Sequence, residues 1–147
     1  MRFKEAETLS NQAVAGLAHV GVAVRDLSAA ERTYQALGAE LLGREDVPAE
    51  GVRVSFLTLG GVRIELLEPL DPSAEAGVAR FVRERGGGVH HLAFDTEDLA
   101  QALGSLGAQG IAPIGGGGRP GAEGRQVAFL HPRDTGGVLV ELCEVRR

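Results

Sequence analysis

The same motif occurs twice in this chain, and this internal repeat restricts the possible folds more than any other feature. In each copy a histidine lies eight residues before a leucine, and an aspartate directly precedes that leucine. The matched residues are His19, Asp26 and Leu27 in the first copy and His91, Asp98 and Leu99 in the second. Near their ends the copies share the segments VRIELLE (62–68) and VLVELCE (138–144), so that Glu65 corresponds to Glu141. Such a duplication predicts two modules of one kind that share a core.

Within the first copy, the spacing of apolar residues predicts one helix between strands. The helix over 27–37 has apolar residues at helical spacing and ends at Gly38. Two glycines at 60–61 predict a tight hairpin, and Pro69 is expected to end the strand that follows it. The expected strands of this copy are 17–24, 40–47, 52–59 and 62–67.

The second copy has the same succession of patterns. We expect strands over 89–95, 126–130 and 138–144, and a helix over 99–106 that Asp98 caps. Between the copies, residues 71–88 are predicted to form a linker with a helix around 78–85 and a flexible glycine exit. The glycine tract 115–118 and the following 119–121 are predicted to be a mobile surface loop, because no nucleotide-binding fingerprint is present.

The order βαβββ therefore occurs twice, which predicts an α+β fold. We expect two βαβββ modules, over 17–70 and 88–145, that form a curved mixed sheet around a metal cavity. Both modules belong to a single expected domain over 17–147. Residues 1–16 carry charges and lack an apolar stretch, so we interpret them as an N-terminal extension and not as a signal peptide.

Composition excludes several classes of function. The chain has 147 residues and a net charge of −5, which is unfavourable for binding nucleic acid. No apolar run approaches the roughly 20 residues that a membrane span requires. The lone cysteine, Cys143, excludes a disulfide framework and favours a reducing compartment, so a cytoplasmic location is expected.

The repeated histidines and glutamates are candidate metal ligands. Because side chains on a strand alternate between faces, each of them lies beside small or apolar neighbours, where a carboxylate is unfavourable unless it is paired or bound to a metal. Taken alone, each histidine would be an ordinary core residue and each glutamate a solvated edge residue. Their matched positions favour one shared site instead, made by His19, Glu65, His91 and Glu141. Two imidazoles and two carboxylates suit Co²⁺, Mn²⁺, Zn²⁺ or Ni²⁺, and a six-coordinate ion would keep two positions for a bidentate substrate.

Three other residues near these motifs have less specific interpretations. His90 points away from the face of His91 and is expected to pack or to contact a ligand from behind. His131 precedes Pro132 in a turn, where it could be structural, contact a ligand or face a substrate. Cys143 shares the face of Glu141 and is expected to be a buried, unreactive thiol.

Longer motifs carry a family resemblance over nearly the whole chain. They are HVGVAVRDL (19–27), GVRIELLEPL (61–70), RFVRERGGG (80–88), GGGVHHLAF (86–94) and VAFLHPRDTGGVLVEL (127–142). With the paired modules, they resemble the vicinal-oxygen-chelate superfamily, which includes glyoxalase I and the dioxygenases. Their finer pattern looks like the methylmalonyl-CoA epimerase family.

The resemblance implies a metal-dependent isomerase that interconverts the R and S forms of methylmalonyl-CoA. It implies His19, Glu65, His91 and Glu141 as ligands of a divalent ion, with Co²⁺ the first choice and Mn²⁺, Ni²⁺ or Zn²⁺ as alternatives. It also implies a homodimer. Chemically, chelation of the thioester and carboxylate oxygens stabilises the enediolate that forms when the α-proton leaves. Carboxylates on the two sides of the carbon remove the proton from one face and return it to the other.

The two acid/base residues are assigned differently. By resemblance, Glu141 serves both as ligand and as one acid/base. Some relatives carry the opposed glutamate at the position of Val54 and a glutamine at the position of Glu65, so we hypothesise that Glu65 takes over as the opposed carboxylate here. The loop carboxylate Glu50 is the second choice for that role.

Other functions remain open at this point. A glyoxalase I-like lactoylglutathione lyase would use a similar ligand set, whereas the two-histidine, one-carboxylate iron site of a dioxygenase fits four ligands poorly. A metal-free module that binds drugs or other small molecules would need no acid/base pair. The basic residues Arg119, Arg125 and Arg133 could bind the phosphates of coenzyme A or be solvated surface residues.

Overall fold

The computed structural model describes residue 2 and residues 13–146, so that most of the expected N-terminal extension lies outside the described residues. The first half contains β1 (Gly16–Ala23), α1 (Leu27–Ala36), β2 (Glu40–Val47), β3 (Val52–Leu59) and β4 (Val62–Pro69). Helix α2 (Gly77–Arg85) follows. The second half contains β5 (Gly88–Thr96), α3 (Leu99–Gly107), β6 (Arg119–Pro120), β7 (Gln126–Leu130) and β8 (Val140–Glu144).

The strands form one curved mixed sheet in the order β2-β3-β4-β1-β5-β8-β7-β6. Within each half, the first strand pairs in parallel with the last, as β1 does with β4 and β5 with β8. An antiparallel pairing of β1 with β5 joins the two halves at the centre of the sheet. The predicted α+β class, with the order βαβββ in each half, is confirmed.

Helices cover the sheet because their apolar faces match its two sides. Leu27 of α1 packs with Leu57 and Leu66, and α3 buries Leu99 and Ala102 against the second half of the sheet. Helix α2 lies against the other side, where Val78 and Val82 pack with a cluster of first-half residues. That cluster is Ala23, Val47, Val52, Val54, Phe56 and Leu67.

Helices α1 and α3, which follow the first strand of each half, each begin at two carboxylate groups. Asp26 accepts a hydrogen bond from Ala29 N (2.9 Å), and Asp98 accepts one from Gln101 N (2.9 Å). The last glutamate of each half adds a second bond, since Glu68 accepts from Leu27 N and Glu144 from Leu99 N. Carboxylates here satisfy N–H groups that have no partner inside the helix.

Two element boundaries differ from the expected ones by more than one residue, and one expected loop segment forms a strand. Strand β4 continues through Pro69, which pairs opposite Val52 as the last residue of the ladder, where a missing N–H matters least. Strand β8 begins at Val140 and not at residue 138, because the Val138 carbonyl accepts a hydrogen bond from the Thr135 hydroxyl. Residues 119–120, expected in a loop, form the short strand β6 against β7.

Among the residues that the structure describes, no helix has the length and apolar character needed to cross a bilayer.

Candidate metal centre

The four candidate ligands lie on the four central strands of the sheet. His19 and His91 come from β1 and β5, and Glu65 and Glu141 from β4 and β8. Strand register brings them together across small residues. Glu65 lies opposite Gly21, and Glu141 lies opposite Ala93, each of these small residues being two positions after a histidine. All four ligand candidates are buried, with 5–6% of their surface exposed.

Three donor atoms of this cluster form a nearly regular triangle. His19 Nε2 and His91 Nε2 are 3.0 Å apart, and Glu141 Oε2 lies 3.2 Å from the first and 3.0 Å from the second. Neighbouring ligands of an octahedral ion with bonds of about 2.1 Å are about 3.0 Å apart, so the triangle has the size of one face of such a coordination shell. The donor spacing therefore fits a divalent cation.

The other ring nitrogens of both histidines are also engaged. Glu65 Oε2 lies 2.8 Å from His19 Nδ1, and His90 Nδ1 lies 3.0 Å from His91 Nδ1. Partners at the outer nitrogen are typical of metal-binding histidines, because they fix the ring orientation and the tautomer. Glu65 therefore contacts His19 on the side away from the triangle, and its coordination of an ion requires its carboxylate to leave His19 Nδ1.

In the metal-free protein, a proton supplies the positive charge in the cluster. Burial by itself would lower the pKa of His19, but hydrogen bonds and charge interactions with Glu141 and Glu65 raise it to about 9. Burial would likewise raise the pKa of Glu141, yet its bonds to His19 and His91 lower it to about 2. A bound divalent cation would replace this proton and satisfy both carboxylates.

A partly enclosed cavity of about 20 Å³ adjoins the cluster. This volume exceeds the roughly 10–15 Å³ that one water molecule requires, so the cavity has room for an ion or a water molecule. Cys143 lines it and lies with His19 and Glu141 in a group whose donor atoms are all within 4.8 Å of one another. Burial strongly raises the pKa of the Cys143 thiol, which keeps it protonated and unreactive, as expected.

Two further glutamates, Glu50 and Glu123, line the cavity, and they are equivalent residues of the repeat. Ala49-Glu50-Gly51 and Ala122-Glu123-Gly124 are the same tripeptide at equivalent points of the repeat, the first directly before β3 and the second one residue before β7. Each forms part of a short 3₁₀ turn next to a glycine in the left-handed conformation. The repeated tripeptide is the signal that could have linked these residues to the site.

The surrounding candidates have structural partners. His90 packs edge-on against Phe81, with ring centres 5.0 Å apart, and supports His91. His131 caps a short turn by accepting a hydrogen bond from Arg133 N (3.1 Å). Arg125 is bound to Asp95 (2.5 Å), so its guanidinium group is already paired, whereas Arg119 lies over the ring of Phe129.

Two βαβββ units side by side, with their ligand candidates on the central strands, define the class of this protein. The chain belongs to the glyoxalase/bleomycin resistance protein/dioxygenase superfamily, whose family model matches residues 18–129. Within this superfamily, the chain is 43% identical over 132 residues to the ethylmalonyl-CoA/methylmalonyl-CoA epimerase of Cereibacter sphaeroides. That match covers 88% of this chain and 97% of the relative.

Solved structures lead to the same group. The crystal structure of methylmalonyl-CoA epimerase from Mycobacterium tuberculosis has a TM-score of 0.86 at 36% identity and covers 95% of this chain and 94% of its own. A methylmalonyl-CoA epimerase in complex with methylmalonyl-CoA and NH4+ has a TM-score of 0.82 at 32% identity, with 89% and 94% coverage. The resemblance to the epimerases, which are isomerases, is therefore confirmed.

Proposed function

We propose that this chain catalyses the metal-dependent interconversion of the R and S epimers of methylmalonyl-CoA. The observation that carries the proposal is the triangle of His19 Nε2, His91 Nε2 and Glu141 Oε2 in a buried cavity. The relatives support the same substrate, since proteins named methylmalonyl-CoA epimerase match most of this chain at 36–43% identity.

The proposed metal ligands are His19, His91, Glu141 and Glu65. A bound divalent cation would supply Lewis acidity, which lowers the energy of negative charge on the substrate oxygens. Co²⁺ is the first choice and Mn²⁺, Ni²⁺ or Zn²⁺ are alternatives, because nitrogen and carboxylate donors suit all four ions. Glu65 must turn from His19 Nδ1 to become the fourth ligand; if it stays there, it orients His19 instead.

Glu141 is the proposed acid/base on one face of the reacting carbon. Its Oε2 belongs to the triangle, which leaves the second carboxylate oxygen for proton transfer. The α-proton is acidic because it lies between a thioester carbonyl and a carboxylate, so a carboxylate base within hydrogen-bond reach is sufficient. Glu65 remains the sequence-based candidate for the opposite face.

Metal content and substrate choice test the proposal together. After dialysis against chelator and reloading with Co²⁺ or Mn²⁺, we expect about one ion per chain and epimerisation of methylmalonyl-CoA that depends on the ion. His19→Gln should abolish both. The methylglyoxal–glutathione adduct is the comparison substrate, and its preferred turnover would point to a glyoxalase-like lyase. A protein without metal affinity and without activity would instead be a metal-free binding module.

Glu65→Gln separates the two roles of Glu65. The affinity for the ion should fall by about ten- to a hundredfold whether Glu65 is a ligand or only orients His19. Retained epimerisation in the reloaded variant would show that Glu65 transfers no proton. The matched control is Glu40→Gln, because Glu40 is an exposed residue at the start of β2, on the sheet's outer strand.

We further propose a homodimer in the cytoplasm, on the basis of the family resemblance and of the single buried thiol. Sedimentation analysis of the metal-loaded protein tests the assembly, with a molecular mass near twice 15.3 kDa expected.

A further inference from the structure

Glu50 is a partly buried carboxyl group that the proposed metal site does not use. It ends the 3₁₀ turn Pro48–Glu50 between β2 and β3 and lines the same cavity as Glu141. Its Oε1 is inaccessible to solvent and has no hydrogen-bond partner among the described residues. A buried polar atom without a partner is unfavourable, so its retention calls for a role in binding or chemistry.

Glu50 and Glu141 come from different halves of the chain and line the same cavity. Glu50 belongs to the first half of the chain, near the sheet edge, and Glu141 belongs to β8 of the second half. Both residues line one cavity because the curved sheet brings the turn before β3 towards the central strands. Glu50 is therefore a carboxyl group from outside the donor triangle that lines the same cavity as Glu141 of the triangle.

The other residues that could oppose Glu141 are less suitable. Val54 is apolar and fully buried. Glu123, the equivalent of Glu50 in the second half, is bound to Arg63 (2.5 Å) and has a side chain that is 40% exposed. Glu65 is engaged by His19 and belongs to the proposed ligand set. Among these carboxylates, Glu50 alone has a buried oxygen without a partner in the described part of the chain.

Its electrostatic environment also suits proton transfer near neutral pH. Burial, followed by the charge of Glu141, raises the pKa of Glu50 to about 7. A carboxyl group with a pKa near the working pH can accept and return a proton with nearly equal ease.

We propose that Glu50 is the acid/base that serves the face of the substrate α-carbon opposite to Glu141. In one direction the carboxylate of Glu141 removes the α-proton, and the electron pair of the broken C–H bond moves into the thioester carbonyl. Glu50, in its acid form, then donates a proton to the other face, where the new C–H bond forms. The reverse direction exchanges the two roles, so that protons balance and no redox partner is needed. The inference rests on the proposed epimerase function.

Solvent exchange at the α-carbon tests this assignment. In D₂O, Glu50→Gln should lose epimerisation by about 10²- to 10⁴-fold, the usual contribution of general acid/base catalysis. It should still exchange the α-proton of the single epimer that faces Glu141, with retention of configuration. Its metal content should equal that of the wild type, and Glu40→Gln should behave like the wild type in all three measurements.

Each contrary result has a distinct meaning. Epimerisation by Glu50→Gln within about threefold of the wild type would overturn the assignment while the epimerase function stood. If Glu65→Gln, and not Glu50→Gln, exchanged the α-proton of a single epimer, Glu65 would be the second acid/base. Loss of metal from Glu50→Gln would show that Glu50 is a ligand. A wild-type protein that does not epimerise methylmalonyl-CoA would end the proposed function, and with it this inference.

A second variant covers a folding defect in Glu50→Gln. Glu50→Ala leaves a gap next to the cavity, which formate or acetate can enter. Recovery of epimerisation in proportion to the concentration of the added carboxylate would support proton transfer at this position. A soluble, metal-loaded Glu50→Ala protein with wild-type activity in the absence of added carboxylate would overturn it.

Discussion

At position 21 the imidazole of His91 occupies the space in which a side chain would begin. A Cβ built on Gly21 would lie 2.1 Å from His91 Cε1, far inside van der Waals contact. The backbone there does not have a positive φ, so the close approach, and not the conformation, accounts for the glycine.

Replacement of Gly21 by valine should therefore displace His91 and weaken metal binding. We expect the affinity for Co²⁺ or Mn²⁺ to fall by about ten- to a hundredfold, as it does when the support of a ligand is disturbed. Calorimetric titration of the chelated protein measures the change. Gly43→Val on β2 is the control, because a Cβ at Gly43 would meet nothing within 4 Å. Equal losses in both variants would contradict a local effect.

The partly buried carboxyl of Glu50 should make the fold less stable as the pH rises. Its pKa is about 7 in the folded chain and has an ordinary value of 4.5. Between these values the folded chain binds a proton that the unfolded chain has released, so the free energy of unfolding falls as the pH rises through this window.

Glu50→Gln should remove this dependence. In chelator, we expect the variant to be more stable than the wild type by on the order of 1–3 kcal/mol at pH 8, with a smaller difference at pH 5. Urea unfolding at the two pH values measures it. A difference that does not change with pH would indicate a packing effect and would contradict the buried charge.

Residues of the site differ in how far the sequence reveals them. His19, Glu65, His91 and Glu141 are recognisable because each has a counterpart in the other copy and because strands alternate in a simple period. Glu50 lies in a turn, where no periodicity reports which way a side chain points. The close approach at Gly21 involves the ring of His91 on another strand, which the sequence around Gly21 does not encode.

At the scale of elements, the two acceptors at the start of α1 and of α3 repeat the internal symmetry. Glu68 Oε2 lies 2.7 Å from Leu27 N, and Glu144 Oε2 lies 2.9 Å from Leu99 N. These bonds tie the end of each half's last strand to the start of its helix. They thereby hold the strands that carry Glu65 and Glu141.

Removal of either acceptor should destabilise the protein by about 1 kcal/mol, the usual contribution of a helix cap. We expect the effects of Glu68→Ala and Glu144→Ala to add in the double variant, because the two sites share no partner. Thermal or urea unfolding measures them. Glu84→Ala is the control, since Glu84 forms an exposed pair with Arg80 and should change stability by less than about 0.5 kcal/mol. A double variant no less stable than the single ones would refute independence.

Strands and helices were predictable where the sequence contains both a periodic pattern and a stop signal. Strands β2 and β3 have the predicted bounds, because glycine or proline follows each of them. Strand β6 was missed, since Arg119–Pro120 is too short for any pattern and exists only through its pairing with β7. The start of β8 was misplaced because the Thr135 hydroxyl binds a carbonyl that the strand pattern assigns to the sheet.

On the scale of the whole molecule, contacts between the halves extend beyond the central strands. The pairing of β1 with β5 is the main connection. In addition, Glu45 of the first half accepts a hydrogen bond from Glu123 N (2.9 Å), and Arg63 binds the Glu123 side chain. Residues from both halves also line the cavity.

We therefore expect the two halves to unfold in one cooperative transition. The near-ultraviolet signal of Tyr34, the single tyrosine, reports on the first half, whereas the far-ultraviolet signal reports on both. The two transitions should coincide. Co²⁺ at a hundredfold excess over its Kd should raise the free energy of unfolding by about 2.7 kcal/mol and shift both midpoints together. Separate midpoints for the two signals would show that the halves fold independently.

The sequence by itself determined the repeat, the α+β class and the membership of four matched side chains in one set. It could do so because duplication and strand alternation are local patterns that repeat in the letters of the chain. Only the tertiary structure decided which atoms meet: the triangle of His19, His91 and Glu141, the place of Glu65 behind His19, and the unpartnered oxygen of Glu50. These depend on sheet curvature and on contacts between residues far apart in the chain, which no local pattern specifies.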